Sequence, residues 1–234
     1  MTPMLNLDEI DRDGAVREAA EAVSGDTRLS FLKKAGIGGA AAMSGGAVLS
    51  ALAPSAFALP AHGRPPAAFG KGDVGILNYA LTLEYLEAAF YNGATLASLP
   101  LSPQGNAFLK TVAKDENAHV AFLKKALGRK AAAEPKFDFK GTNKNAEMFM
   151  KTAQVLENTG VHAYSGQALN IKTPAYVKAA VSILTVEARH ASVIGLLNEG
   201  ANPTGNAIAP DGPFDTPLTA SKVLAAVKGT GFIV

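Results

Sequence analysis

Glu116-Asn117-Ala118-His119 and Glu187-Ala188-Arg189-His190 repeat one pattern, a glutamate followed three residues later by a histidine, each inside an apolar stripe of helical period. Side chains three apart share a helix face. Each pair therefore offers a carboxylate and an imidazole to one point in the interior of a fold. Two more helical segments carry Glu84 and Glu157 at the middle of similar stripes. The face around Glu84 reads Leu77, Ala80, Leu81, Ala88 and Tyr91, and that around Glu157 reads Met150, Ala153, Val161 and Tyr164. A helical glutamate ordinarily faces water, but these four stand among residues that must pack.

A buried carboxylate costs several kcal/mol even after the protein relaxes around it, so four converging carboxylates require positive charge among them. Two divalent cations against four carboxylates and two neutral imidazoles sum to zero, the arithmetic of a dinuclear site. The chain has no cysteine, which excludes disulfides, thiolate zinc sites and cysteine nucleophiles together. Oxygen and imidazole ligands suit Fe or Mn, and the residues do not separate the two.

The pattern is doubled along the chain. Leu83-Glu84, with Tyr91 seven residues on, matches Leu156-Glu157, with Tyr164 seven residues on, and Glu116/His119 matches Glu187/His190, at offsets of 73 and 71 residues. This is a diverged duplication of a helical hairpin, each copy supplying three ligands. Asp73 as N-cap opens a helix from Val74 to about Leu96. Ser102-Pro103 opens a second that stops at Gly128. A third runs from about Asn143 to Leu169, and Thr173-Pro174 caps a fourth that ends at Glu199-Gly200. Residues 129–143 lack a helical period and are long enough for a crossover along a bundle. Beyond Gly200 the chain reads as loop to Thr219, then a short helix from Ala220 to Lys228.

With 234 residues, 48% hydrophobic and 18% charged, the chain can bury one sizeable core. Its formal charge of +2 comes without a basic cluster interleaved with aromatics, so nothing points to nucleic acid. Residues 1–26 are polar and acidic and read as disordered. From Thr27 the chain gives Arg28-Leu29-Ser30-Phe31-Leu32-Lys33-Lys34 and then 27 uncharged residues, Ala35 to Ala61. This resembles a twin-arginine export signal, with Leu29 where the second arginine belongs. Ala56-Phe57-Ala58 has the form of a cleavage site. The expectation is an export signal over 27–58 cut after Ala58, a linker over 59–72, a bundle over 73–199, a C-terminal segment over 200–234, and no membrane span in the mature protein.

One Glu from each of two helices plus Glu-x-x-His from each of two others resembles the ferritin-like di-iron and di-manganese carboxylate proteins. The resemblance covers Asp73 to Glu199. It implies an all-α, antiparallel four-helix bundle with a long crossover between its second and third helices and a short C-terminal helix. The ending, Phe214-Asp215-Thr216-Pro217-Leu218-Thr219 with Gly231-Phe232-Ile233, resembles the exported branch that includes desiccation-related proteins. By the resemblance Glu84 and Glu157 are outer ligands, Glu116 and Glu187 bridge two metals, and His119 and His190 take one metal each. It implies iron, with manganese the alternative. The chemistry is Fe(II) oxidation or the handling of O2 or H2O2 under stress. A manganese pair implies catalase-like dismutation, and a third reading is a non-enzymatic protective protein whose metals only stabilise the fold. Nothing supports a 24-subunit shell, and the oligomeric state is not legible.

Five neighbours complete the expected site. Glu87, one turn after Glu84 and matched by Gly160 in the other half, reads as surface or as a carboxylate on the path of incoming metal, with an extra ligand as the alternative. Tyr91 and Tyr164 are placed to donate hydrogen bonds to bound carboxylates. Asp115 and Arg189 flank the two motifs and suggest an ion pair near the histidines. His162 falls off the Glu157 face and His62 in the leader, so neither is expected to bind metal.

Overall fold

A computed structural model of the chain describes residues 63–234. The acidic N-terminal segment, the expected export signal and His62 lie outside the described residues. Four long helices follow: α1 (Gly72–Leu96), α2 (Pro103–Leu127), α3 (Ala146–Gln167) and α4 (Pro174–Glu199), then a single turn α5 (Gly205–Ile208) and a short α6 (Ala220–Thr230). Among the described residues there is no strand, only an isolated antiparallel bridge between Phe137 and Ile233. α1 packs chiefly on α2 and α3 on α4, with seams between α1 and α3 and between α2 and α4 completing a four-helix bundle.

Local chemistry sets the helix ends. The Ser102 hydroxyl accepts from the Gly105 amide at 3.0 Å, with Pro103 at the first helical position of α2. The Asn145 side chain accepts from Met148 N at 3.0 Å and starts α3, after a 3-10 turn at Thr142–Lys144. That turn accounts for the earlier start expected at Asn143.

Asp73 departs from its expected role. α1 begins at Gly72 with Lys71 as its cap, and the Asp73 carboxylate accepts from the Lys172 and Thr173 amides at 2.9 and 2.8 Å. It clamps the start of α1 to the loop before α4. Thr173 takes the N-cap position of α4 without a side-chain cap bond.

The crossover spans the bundle and is held at both ends. Asn78 donates to the carbonyls of Phe69 and Lys130, each at 3.0 Å, and accepts from Ala132 N at 2.8 Å. Farther on, Asp138 N donates to Phe232 O at 2.8 Å and Val234 N to Lys136 O at 3.0 Å, joining the crossover to the C-terminus. The expected loop between α4 and α6 contains the turn α5, and its end lies on α3: Leu218 N donates to His162 O at 3.1 Å. A Cβ at Gly166 would stand 1.8 Å from Leu218 O, so only glycine allows that approach. Gly63, expected within a linker, is bound as well, its carbonyl accepting from Gln167 Nε2 at 2.7 Å and Ala220 N at 3.0 Å.

The core divides into two clusters. One is aromatic, with Phe90, Tyr91, Phe108, Phe139 and Phe149. The other is mainly aliphatic, with Ile76, Leu77, Leu81, Leu123, Leu127 and Ile183. Of the described helices α4 alone is long and apolar enough by composition to cross a bilayer, and here Ala180, Ile183, Ala191 and Ile194 turn that apolar character into the bundle core.

Candidate metal centre

Each long helix brings its expected residues to one place in the bundle. Glu84 from α1, Glu116 from α2, Glu157 from α3 and Glu187 from α4 are completely buried, and His190 is 6% exposed. Their ligand atoms form two groups, Glu84, Glu116, His119 and Glu187 in one and Glu116, Glu157, Glu187 and His190 in the other, each group lying within 4.8 Å. Glu116 and Glu187 belong to both. Glu116 Oε2 is 3.1 Å from His119 Nδ1, and its Oε1 is 3.2 Å from His190 Nδ1. One oxygen thus faces each histidine, an arrangement suited to a carboxylate between two cations.

The Nδ1 atoms converge on the outer carboxylates too. His119 Nδ1 is 3.1 Å from Glu84 Oε2, and His190 Nδ1 is 3.2 Å from Glu157 Oε2. Two phenols tie α1 and α3 together: Tyr91 of α1 donates to Glu157 Oε1, and Tyr164 of α3 donates to Glu84 Oε1. Each takes one oxygen of an outer carboxylate and leaves the other facing a histidine.

The profile of the ferritin-like domain matches residues 72–199, from the first residue of α1 to the last of α4. The chain belongs to the ferritin-like domain family. No curated protein matches it.

Electrostatics in the ferritin-like bundle show what its donor set lacks. Burial, and then the charge of Glu116, push the Glu187 carboxyl well above its ordinary value. Burial and the Glu84 charge raise Glu116 to about 7, against the opposing pull of the nearby His119 and His190 imidazoles. Burial also acts to raise Glu84, but hydrogen bonding with His119 and that ring's charge reverse the effect and leave it lowered. Burial disfavours charge on the imidazoles; contact with the carboxylates outweighs it, raising His119 far above its usual range and His190 to about 11. In the metal-free chain, protons on Nδ1 stand where cations would.

Glu116 Oε1 and both oxygens of Glu187 are buried without a hydrogen-bond partner among the described residues. The imidazoles at 3.2 Å from Glu116 Oε1 and 3.4 Å from Glu187 Oε1 are within ion-pair reach but make no hydrogen bond to these atoms. Orphaned carboxylate oxygens of this kind cost more than any ordinary packing returns. They belong to the two glutamates common to both groups. The residues present therefore fit a pair of metal ions, which Glu84, Glu116, His119, Glu157, Glu187 and His190 could hold.

The expected neighbours divide. Glu87 is not at the surface: it is 3% exposed, and burial and the Glu187 charge raise its carboxyl well above the ordinary range. Three residues on from Glu84, it follows the same packed face, and the surrounding Leu83, Leu86, Ala88 and Phe90 were the available signal. Asp115 does not pair with Arg189. Its Oδ2 meets His190 Nε2 at 3.3 Å, while Arg189 is exposed. His162 pairs with Asp211 at 2.9 Å, away from the centre. Between α2 and α4 an apolar groove of about 490 Å³, lined by Phe108, Val112, Asp115, Val186 and Arg189 among others, reaches His190.

Proposed function

We propose that this ferritin-like protein holds two iron ions on Glu84, Glu116, His119, Glu157, Glu187 and His190, and acts as an exported protein that oxidises Fe(II) or consumes peroxide under stress. The observation that supports it is the pair of four-residue groups sharing Glu116 and Glu187, with orphaned oxygens on the shared residues. Two redox-active metals side by side supply two electrons to one molecule of oxygen or hydrogen peroxide.

The chain supplies position and charge. Tyr91 and Tyr164 hold the outer carboxylates, so that Glu157 Oε2 and Glu84 Oε2 keep their aim. Asp115 accepts a hydrogen bond from His190 Nε2–H, which fixes the tautomer and leaves Nδ1 as the ligand atom. The groove between α2 and α4 admits a small molecule to the His190 side, and its apolar walls limit the water that follows.

Elemental analysis of the full chain purified without added metal, beside Glu116→Ala, tests the ligand set. About two Fe per chain, lost in the variant, is expected; equal metal in both proteins overturns it. Ferrous iron or peroxide offered to the loaded protein is expected to be consumed, with oxygen release from a manganese-loaded protein identifying dismutation instead. Bound metal without consumption of either substrate leaves a metal-stabilised protective protein.

A further inference from the structure

The six ligands leave Glu87 unexplained. It sits on α1 between Glu84, whose Oε1 accepts from Tyr164, and Tyr91, which donates to Glu157. Those two contacts fix α1 and α3 as antiparallel neighbours, and the same register sets Glu87 across from Gly160. A Cβ at Gly160 would lie 2.5 Å from Glu187 Oε2 and 3.4 Å from Glu87 Oε1. Both oxygens thus border one small space, kept open because residue 160 has no side chain.

Neither oxygen is served by the protein. Glu187 Oε2 has no hydrogen-bond partner, and no described residue donates to the Glu87 carboxyl, which is 3% exposed. No hydrogen bond joins the two carboxyls, and no lysine or arginine forms an ion pair with either among the described residues. A carboxylate in such a place, without donor or counter-ion, is stable only beside a cation; otherwise the acid keeps its proton.

We propose that Glu87 is a fifth carboxylate ligand of the metal pair, closing its α1–α3 face and leaving the groove between α2 and α4 as the approach for small molecules. This rests on the metal pair proposed above. It makes the centre asymmetric, because the corresponding residue of the second half is Gly160, and a glutamate there would collide with Glu187. Five carboxylates against two divalent ions leave one negative charge, so the fifth ligand tightens binding of cations rather than completing neutrality.

The test uses the full chain stripped by chelation and titrated with Co(II), following stoichiometry, affinity and the visible d–d spectrum, for wild type, E87Q and E87D. Metal-free E87Q is expected to melt no lower than metal-free wild type, since glutamine keeps the shape of the side chain and removes an acid that has no counter-ion. Its affinity for the weaker of two Co(II) ions is expected to fall at least about ten-fold, with an altered d–d spectrum. Glu87→Asp keeps the charge but withdraws the carboxyl by one methylene, and is expected to follow E87Q in affinity. Wild-type affinity and spectrum in E87Q, or wild-type behaviour in E87D, overturn the proposal and leave the six-ligand pair standing. A wild-type chain that binds no Co(II), or binds it equally after Glu116→Ala, removes the pair and Glu87 with it.

Discussion

The two hairpins, α1–α2 and α3–α4, carry the same three candidate ligands each and differ in what stands beside them. Glu84 matches Glu157, Glu116 matches Glu187 and His119 matches His190, and the phenols Tyr91 and Tyr164 cross to serve each other's half. Next to these, Glu87 is answered by Gly160 and Asp115 by Val186. Both extra acids come from the first hairpin. His190 is therefore backed by Asp115 on Nε2, whereas no such carboxylate faces His119 among the described residues. Residues that could hold a metal occur twice; residues that would tune one occur once. Two metals held here would sit in unequal surroundings despite the six matched donors.

The largest expected effect separates shared donors from unshared ones. Glu116→Ala or Glu187→Ala removes a donor common to both groups and is expected to bring bound metal from about two per chain to under one. Glu84→Ala and Glu157→Ala each damage one group and should leave about one. Elemental analysis of the four variants checks this, and equal losses in all four would break the distinction.

Metal removal comes next. Stripping cations from completely buried carboxylates costs several kcal/mol, which at roughly 2–4 °C per kcal/mol for a domain of this size lowers Tm by about 10 °C or more. The pH dependence has a definite sign. In the metal-free fold, Glu187, Glu87 and both imidazoles lie above their ordinary values of 4.5 and 6.5, so the folded chain binds more protons than the unfolded one. Their contribution is complete below those values. It is lost as pH rises, above 4.5 for the acids, and above 6.5 toward about 11 for His190. Glu84, lowered, acts oppositely and only at acid pH. Metal-free Tm should fall from pH 5 to 9, while affinity for metal rises because the same protons must leave. Thermal melts with and without chelator test this, and a metal-free Tm that climbs over that range contradicts it.

What the sequence makes legible follows from which interactions are local. Ser102-Pro103 and Gly128 mark α2 because capping and backbone chirality act within a few residues. Glu116/His119 and Glu187/His190 stand out because helical spacing alone puts them on one face. Asp73 misleads for the converse reason: an acid at a helix start is an ordinary cap, and its true partners, the Lys172 and Thr173 amides, lie about one hundred residues away. Asn78 and the bridge between Phe137 and Ile233 are equally silent, since each joins segments brought together only by the crossover. Glu87 lies between these cases. Its packed neighbours and its match to Gly160 are visible in the sequence, but deciding between surface and interior requires the α1–α3 register.

The crossed phenols offer a control in which the halves should behave alike. Tyr91→Phe and Tyr164→Phe each remove a hydrogen bond to a buried carboxylate and keep the ring, a change worth about 1.5–3 kcal/mol. In the metal-loaded protein, Tm should drop by roughly 3–12 °C, by similar amounts in the two variants. A marked inequality, read by calorimetry, would mean that the asymmetry reaches the outer carboxylates.

Asp115→Asn should produce the smallest change and the most one-sided. The contact to His190 Nε2 is 3.3 Å long and Asp115 is 35% exposed, so solvent screens the pair and the loss belongs at the lower end of what such supporting contacts provide, about ten-fold in affinity. It should fall on the metal held by His190 alone. Asparagine can still accept from Nε2–H, so ring orientation survives and only the charge behind it is lost; Asp115→Ala, which loses both, should weaken that position further. Stepwise metal titration of the two variants separates the positions. If both ions weaken together, Asp115 acts as a general charge on the centre, and the difference between the two hairpins reduces to Glu87 against Gly160.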